Sequence, residues 1–251
     1  MDKKLILAIK NIIIEAGRIA LEVREAGLKI DIKSDASPVT NADKQISQFI
    51  FDNLLKLAPN IPIICEERPP IAIDPNGKFW LVDPIDGTKS YIKNKDSFTV
   101  NIALIDNKIP KYGFVYQPAK QLLYFTDENR KFCLDKGGES IAKTAHNHEG
   151  FVAVVSSHHL STETSQYLKE QNFAKIIAIP SSIKLCMVAE GAGDVYPKFG
   201  PTMEWDIAAG DAIIRAAGGE VRLPSGELMI YAKEKFMNPH FIAANNRWIK
   251  I

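Results

Sequence analysis

The period of the apolar residues changes once along this chain, and that change restricts the fold more than any composition figure. Up to residue 57 the apolar positions recur at helical spacing. Ile9, Ile12, Ile13, Ala16, Ile19, Ala20 and Val23 share one broad face, which predicts a helix over 2–26 with Gly27 as its stop. A second helix is expected from Thr40, with Asp43 three residues on, Ile46, Phe49, Ile50, Leu54 and Leu57 on its face, and Pro59 beyond its end. From residue 61 the period becomes two. Segments 61–65, 78–83, 98–106, 111–117, 121–126 and 131–134 read as strands, the later ones parted by short polar breaks such as Asp106-Asn107-Lys108. Two helices followed by such a run describe an antiparallel meander carried on a helix pair.

A polar stretch over 135–150 reads as a joint, and the rhythm then alternates. Strands are expected at 152–156, 176–179, 220–223 and 241–244, with helices at 163–171, 181–190 and 206–217. The expected organisation is an N-terminal unit (1–148) of helix pair and antiparallel sheet, and a smaller C-terminal α/β unit (149–251). Neither internal repeats nor low-complexity tracts are present. With 31 Lys+Arg against 30 Asp+Glu in 251 residues, the net charge of +1 offers no field for a nucleic acid polymer. Cys65, Cys133 and Cys186 form no C-x-x-C pair, so reduced thiols in a cytoplasmic protein are expected. The N-terminal apolar run is broken too early for a signal peptide, and nothing approaches 18 uninterrupted apolar residues. Peripheral attachment to the cytoplasmic side of the inner membrane stays open, as does the choice between monomer and homodimer.

The sharpest local feature is Asp83-Pro84-Ile85-Asp86-Gly87-Thr88, directly after the apolar run Phe79-Trp80-Leu81-Val82. Pro84 fixes its own φ and Gly87 permits a tight reversal, so two carboxylates can point into one small volume. Their repulsion is costly unless a cation lies between them, and hard oxygen ligands suit Mg²⁺. A surface Asx turn is the plain alternative. Glu66-Glu67 ends another expected strand, and alternation aims one of the pair toward Asp83. Asp206 opens a helix of small residues, and Asp43 sits three residues into another; capping is the plain role of each. Four acidic segments at element ends resemble the carboxylate cage of a phosphoryl-transfer site holding several Mg²⁺ ions. Gly87, Thr88 and the helix after them would supply amides to a phosphate.

In that order, Asp43, Glu66-Glu67, Asp83-Pro84-Ile85-Asp86-Gly87-Thr88 and Trp205-Asp206-Ile207-Ala208-Ala209-Gly210 resemble the motif of the inositol monophosphatase-like, lithium-sensitive, Mg²⁺-dependent phosphatases. Within that superfamily the chain is most similar to bacterial CysQ-type 3′(2′),5′-bisphosphate nucleotidases, from Asp35-Ala36-Ser37-Pro38-Val39-Thr40 to Phe236-Met237-Asn238-Pro239. The resemblance implies a layered α/β/α/β/α sandwich and two to three Mg²⁺ ions. It implies that Glu66, Asp83 and the carbonyl of Ile85 bind one ion, that Asp83, Asp86 and Asp206 hold a second, and that Glu67 attends a third. It further implies that Thr88, paired with Asp43, orients and deprotonates the water that attacks phosphorus, a pairing that makes chemical sense for a proton relay.

Ser181-Ser182-Ile183-Lys184 resembles the family's Ser-Ser-x-Lys segment, which contacts the nucleotide and its second phosphate; a capped, solvated helix is the alternative. His159 matches a family His near the base. The chain departs from its relatives at Lys198, where Arg is usual and a bidentate fork is lost. It also departs at Ser157 for Arg, Pro180 for Gly and Cys65 for Ser. The implied reaction removes the 3′-phosphate of adenosine 3′,5′-bisphosphate, with 3′-phosphoadenylyl sulfate as a second substrate, in sulfur metabolism. An inositol monophosphatase or sugar-bisphosphate phosphatase is the alternative, and a non-catalytic nucleotide sensor a more distant one. His146-x-His148-Glu149 offers zinc ligands without a partner cluster, and P-loop, dinucleotide-fold and hydrolase-elbow motifs are absent from the sequence.

Overall fold

The computed structural model describes residues 1–34, 36–143, 149–157 and 160–249. Helix α1 (Lys3–Ala26) begins where the Leu5 amide donates to the Asp2 carboxylate at 2.8 Å, and Gly27, at φ 106°, takes the chain out of it. Its buried stripe is Ile6, Ile9, Ile13, Ala16, Gly17 and Ala20. Helix α2 (Asn41–Leu57) starts from a capping box. The Thr40 amide and hydroxyl donate to Asp43 Oδ2 at 2.8 and 2.6 Å, while Thr40 Oγ1 accepts from the Asp43 amide. Between the helices lies a hairpin of β1 (Ile30–Ile32) and β2 (Pro38–Thr40), which the sequence reading did not predict.

The helix pair covers one face of a seven-stranded sheet. Its strands are β3 (Ile63–Cys65), β4 (Lys78–Asp86), β5 (Thr99–Asp106), β6 (Ile109–Gln117), β7 (Leu122–Thr126), β8 (Phe132–Lys136) and β9 (Glu139–Ser140), in that spatial order. The pair β3–β4 is parallel and the other neighbours are antiparallel. A short helix, α3 (Thr88–Ile92), follows β4. Strands β8 and β9 occupy the start of what was expected to be a polar joint.

The second sheet has five strands: β10 (Val152–Ser156), β11 (Lys175–Ile179), β12 (Val195–Lys198), β13 (Glu220–Arg222) and β14 (Phe241–Ala244). Their order is β11-β10-β12-β14-β13, with β10 parallel to both neighbours and β14 antiparallel to both of its own. Helices α4 (Thr162–Glu170), α5 (Ile183–Glu190) and α6 (Glu204–Ala216) complete the chain.

Side-chain alternation along β10 shows how the layers stack. Val154 faces a core that also holds Phe79, Val115, Leu185 and Ile213, so α5 and α6 lie between the two sheets. Ala153 and Val155 face the other way, onto Leu168 of α4. The order is therefore α1/α2, sheet, α5/α6, sheet, α4: the five-layer α/β/α/β/α sandwich expected. The approach of α6 is close on two sides. A Cβ on Gly113 of β6 would stand 2.1 Å from the Ala209 carbonyl oxygen, and one on Gly210 would stand 2.5 Å from Leu185 Cβ. Backbone contact at Gly113 and the Leu185 side chain packed on Gly210 set the position of α6, and with it Asp206 near its start.

Candidate active site

Strand β4 does not stop at Asp83 as expected; it runs on to Asp86 through an irregularity. Asp83 pairs with Asn101 and Asp86 with Thr99, so Pro84 and Ile85 together face the single residue Val100. Pro84 has no amide hydrogen for the ladder, which is why the bulge forms there. The extra residue brings Asp83 and Asp86 to the same end of the sheet. Gly87, at φ 91°, then turns the chain into α3. Glu66 and Glu67 follow β3, the parallel neighbour of β4. Helix α6 brings Asp206 from the middle layer; it begins at Glu204, two residues before the expected start, and Asp206 Oδ2 accepts the Met203 amide at 2.8 Å.

These segments border a cleft of about 360 Å³, lined by Glu66, Asp86, Gly87, Thr88 and Asp206 together with Ser181, Lys184 and Lys198. Asp83 is buried beneath them. Burial, and then the charges of Glu66, Asp86 and Asp206, hold the Asp83 carboxyl well above its usual range. Asp206 is raised in the same way by burial, Asp86 and Glu66. Asp86 is raised by burial against the opposing pull of Lys184. Glu66 is raised by burial against the opposing pull of Lys33, and its charge in turn helps to hold Asp83 up. Four buried acids, all raised and two of them by their neighbours' charges, are a site short of positive charge.

The cations present do not meet that need. Lys33, in the β1–β2 hairpin, donates to Glu66 Oε1 at 2.9 Å and to Glu67 Oε1 at 2.5 Å. Burial lowers the Lys33 pKa, but the two glutamates outweigh it and the ammonium is stabilised. Burial brings Lys184 down to about 8, with Asp86 opposing. The donor set is all oxygen, as Mg²⁺ requires, and its mutual repulsion is what a divalent ion would relieve. Among the described residues no three acidic, His or Cys side chains already form a ready cage. Lys33 draws the glutamates aside. The residues fit the ion in chemistry, with side-chain adjustment required.

The family model for the inositol monophosphatase family matches residues 1–250. The chain belongs to that family. A 3′(2′),5′-bisphosphate nucleotidase CysQ of Shigella flexneri is 39% identical over 231 residues, covering 90% of this chain and 94% of the relative. One from Buchnera aphidicola is 36% identical over 222 residues, covering 86% and 84%. The crystal structure of CysQ from Bacteroides thetaiotaomicron, a bacterial member of the inositol monophosphatase family, superposes with TM-score 0.84 at 37% identity over 98% of both chains. A Thermotoga maritima IMPase, at 24% identity and TM-score 0.77 over 96% of this chain and 91% of its own, shares the fold.

Against the family motif, the structure brings together Glu66, Asp83, Asp86, Gly87, Thr88, Ser181, Lys184, Lys198 and Asp206 around one cleft. Two side chains are placed otherwise than expected. The Thr88 hydroxyl donates to the Ile85 carbonyl at 3.1 Å rather than to Asp43, because that acceptor lies within its own turn. Asp43 keeps its plain capping role, paired with Thr40 and pushed up to about 6 by burial. Ser181 is not a helical residue: at φ 58° it precedes α5 in the left-handed region. Lys184 is nonetheless turned inward, only 6% exposed, with its ammonium donating to the Ser181 carbonyl at 2.6 Å, so the solvated-helix alternative fails. Cys65 is buried, 3.2 Å from Ser47 Oγ. His159, His146 and His148 lie outside the described residues. The sequence reading missed Lys33, Tyr196 beneath Lys184, and the buried polar pair Thr99 and Asn101. Lys33 has no periodic signal because its hairpin strands are three residues each.

Proposed function

We propose that this family member is a Mg²⁺-dependent 3′(2′),5′-bisphosphate nucleotidase, converting adenosine 3′,5′-bisphosphate and water to AMP and phosphate. One observation carries the reading. The acid cluster and two lysines, Lys184 and Lys198, line a single cleft, which provides for a reacting phosphate at the acids and a second phosphate at the lysines. The nucleotidase relatives support it.

Glu66, Asp83, Asp86, Asp206 and the Ile85 carbonyl would hold two ions, with Glu67 attending a third. When bound, Mg²⁺ neutralises phosphate oxygens and lowers the pKa of water. The chain's own groups do the rest. Gly87 and Thr88 set the 3′-phosphate against the start of α3, where intrahelical bonding begins only at the Ser90 amide. Thr88 orients the attacking water. For the relay that the resemblance implies, Thr88 would exchange its bond to the Ile85 carbonyl for one to Asp43 and pass the proton there. Ser181, Lys184 and Lys198 receive the 5′-phosphate, and the resemblance would give His159 a role at the base. The three cysteines are unpaired, as in a reducing compartment, and we place the enzyme in the cytoplasm. Among the described residues no helix is long and apolar enough to cross a membrane.

The test is phosphate release with Mg²⁺ from adenosine 3′,5′-bisphosphate, inositol 1-phosphate and fructose 1,6-bisphosphate at equal low concentration. Strong preference for the nucleotide is expected. Preference for either of the others would keep the cluster chemistry and overturn the substrate.

A further inference from the structure

Three polar side chains behind the cleft are nearly excluded from water: Thr99 and Asn101 on β5, and Ser182 just before α5, exposed by 0%, 1% and 2%. They lie on different layers, and a buried polar group is retained only where its hydrogen bonds are satisfied. Ser182 Oγ donates to Asn101 Oδ1 at 2.9 Å. Its contact with Thr99 Oγ1 at 2.7 Å then has Thr99 as donor. The Asn101 amide, oriented by this chain, donates its N–H to Asp86 Oδ2 at 3.4 Å. The Ser182 backbone amide donates to the same oxygen. Both bonds to Asp86 thus land on Oδ2, and both come from groups that Ser182 holds.

Ser182 is flanked by the residues turned toward the second phosphate. Ser181, before it, has a left-handed backbone that a serine adopts only when its surroundings enforce it. Lys184, after it, donates to the Ser181 carbonyl. The carboxylate and the phosphate-facing segment are therefore parts of one hydrogen-bonded unit, and neither moves without the other.

We propose that Ser182 is a positioning residue coupling Asp86 to the Ser181–Lys184 segment: an ion at Asp86 fixes that segment for the nucleotide, and the nucleotide fixes Asp86 for the ion. The inference rests on the metal reading of Asp86 given above. Thermodynamic linkage makes the coupling reciprocal, and couplings of this kind amount to roughly 5- to 150-fold in affinity. Outer-shell hydrogen bonds to a ligating group typically change metal affinity by about 10- to 100-fold.

The experiment is calorimetric and needs no turnover. The affinity of AMP is measured with and without Mg²⁺, and that of Mg²⁺ with and without AMP, on the full chain. In the wild type, Mg²⁺ should tighten AMP binding by about 10-fold or more. Ser182→Ala keeps the amide bond to Asp86 but frees Asn101, and should lower that factor several-fold. Thr99→Val removes the hydroxyl at nearly constant shape and should do the same, while Thr99→Ser should restore the factor. If Ser182→Ala does not fold, the Thr99 pair decides alone. An unchanged factor in Ser182→Ala and Thr99→Val, or no coupling in the wild type, overturns the proposal. Asp86→Asn separates it from its foundation. Undiminished Mg²⁺ affinity in that variant overturns the metal reading and the proposal together. Lost Mg²⁺ affinity there, with full coupling kept in Ser182→Ala, overturns the proposal alone.

Discussion

Asp83 is the residue on which the other charges converge, so its replacement has two opposite consequences. In Asp83→Asn both proposed ions lose a ligand. Metal stabilisation of a phosphoryl transition state is worth several kcal/mol, so turnover should fall by more than about 100-fold. The metal-free protein should meanwhile melt at a higher temperature at pH 8, since the charge removed is buried and opposed by Glu66, Asp86 and Asp206. A near-normal rate, or a lower melting point without metal, would contradict the assignment. Lys184 makes a second prediction. Its ammonium titrates at about 8, so KM for the bisphosphate should rise above that pH more steeply than KM for inositol 1-phosphate. Equal slopes would place Lys184 away from the second phosphate. At this scale the acids were legible as an ordered set that resembles the family motif, since each alone had a plain turn or capping role. Lys33 and Asn101 were not, because their roles come from partners distant in the chain, Glu66, Glu67 and Ser182.

Among the elements, α6 is placed by the absence of side chains. Gly113→Ala forces a Cβ against the Ala209 carbonyl oxygen, where no flexible side chain is available to yield. Overpacking of this kind costs about 1–3 kcal/mol, readable by denaturant unfolding. Because Asp206 travels with α6, Mg²⁺ affinity should fall as well. Unchanged stability and unchanged affinity would show that the sheet and helix can part freely. The long helices and central strands were legible from their period. The short elements were not. Strand β12 carries Pro197, which argues against a strand in any sequence reading, yet it pairs with β14 on one side and meets β10 at a single register position on the other. The end of β4 was misplaced because Asp83-Pro84 reads as a turn, whereas the bulge lets the strand continue to Asp86.

For the molecule as a whole, the acid cluster ties stability to pH and metal together. The folded pKa values of Asp83, Asp86, Asp206 and Glu66 are raised, and Asp43 is raised to about 6. A raised acid binds more protons folded than unfolded. Metal-free stability therefore falls as pH rises through the interval above about 4, where unfolded carboxyls have already ionised. Mg²⁺ should raise the melting temperature more at pH 8 than at pH 5; an equal rise at both would mean that these acids are not its ligands. The five-layer order was available only through family resemblance. Periodicity finds elements, but it does not say that α5 and α6 would lie between two sheets. Lys33 has a consequence of its own. An ammonium attached to the hairpin keeps an effective concentration beside Glu66 and Glu67 that no dialysis lowers. Every free cation meets a competitor that is part of the protein. The Mg²⁺ concentration at half-saturation will therefore measure a contest between two cations, one dissolved and one tethered.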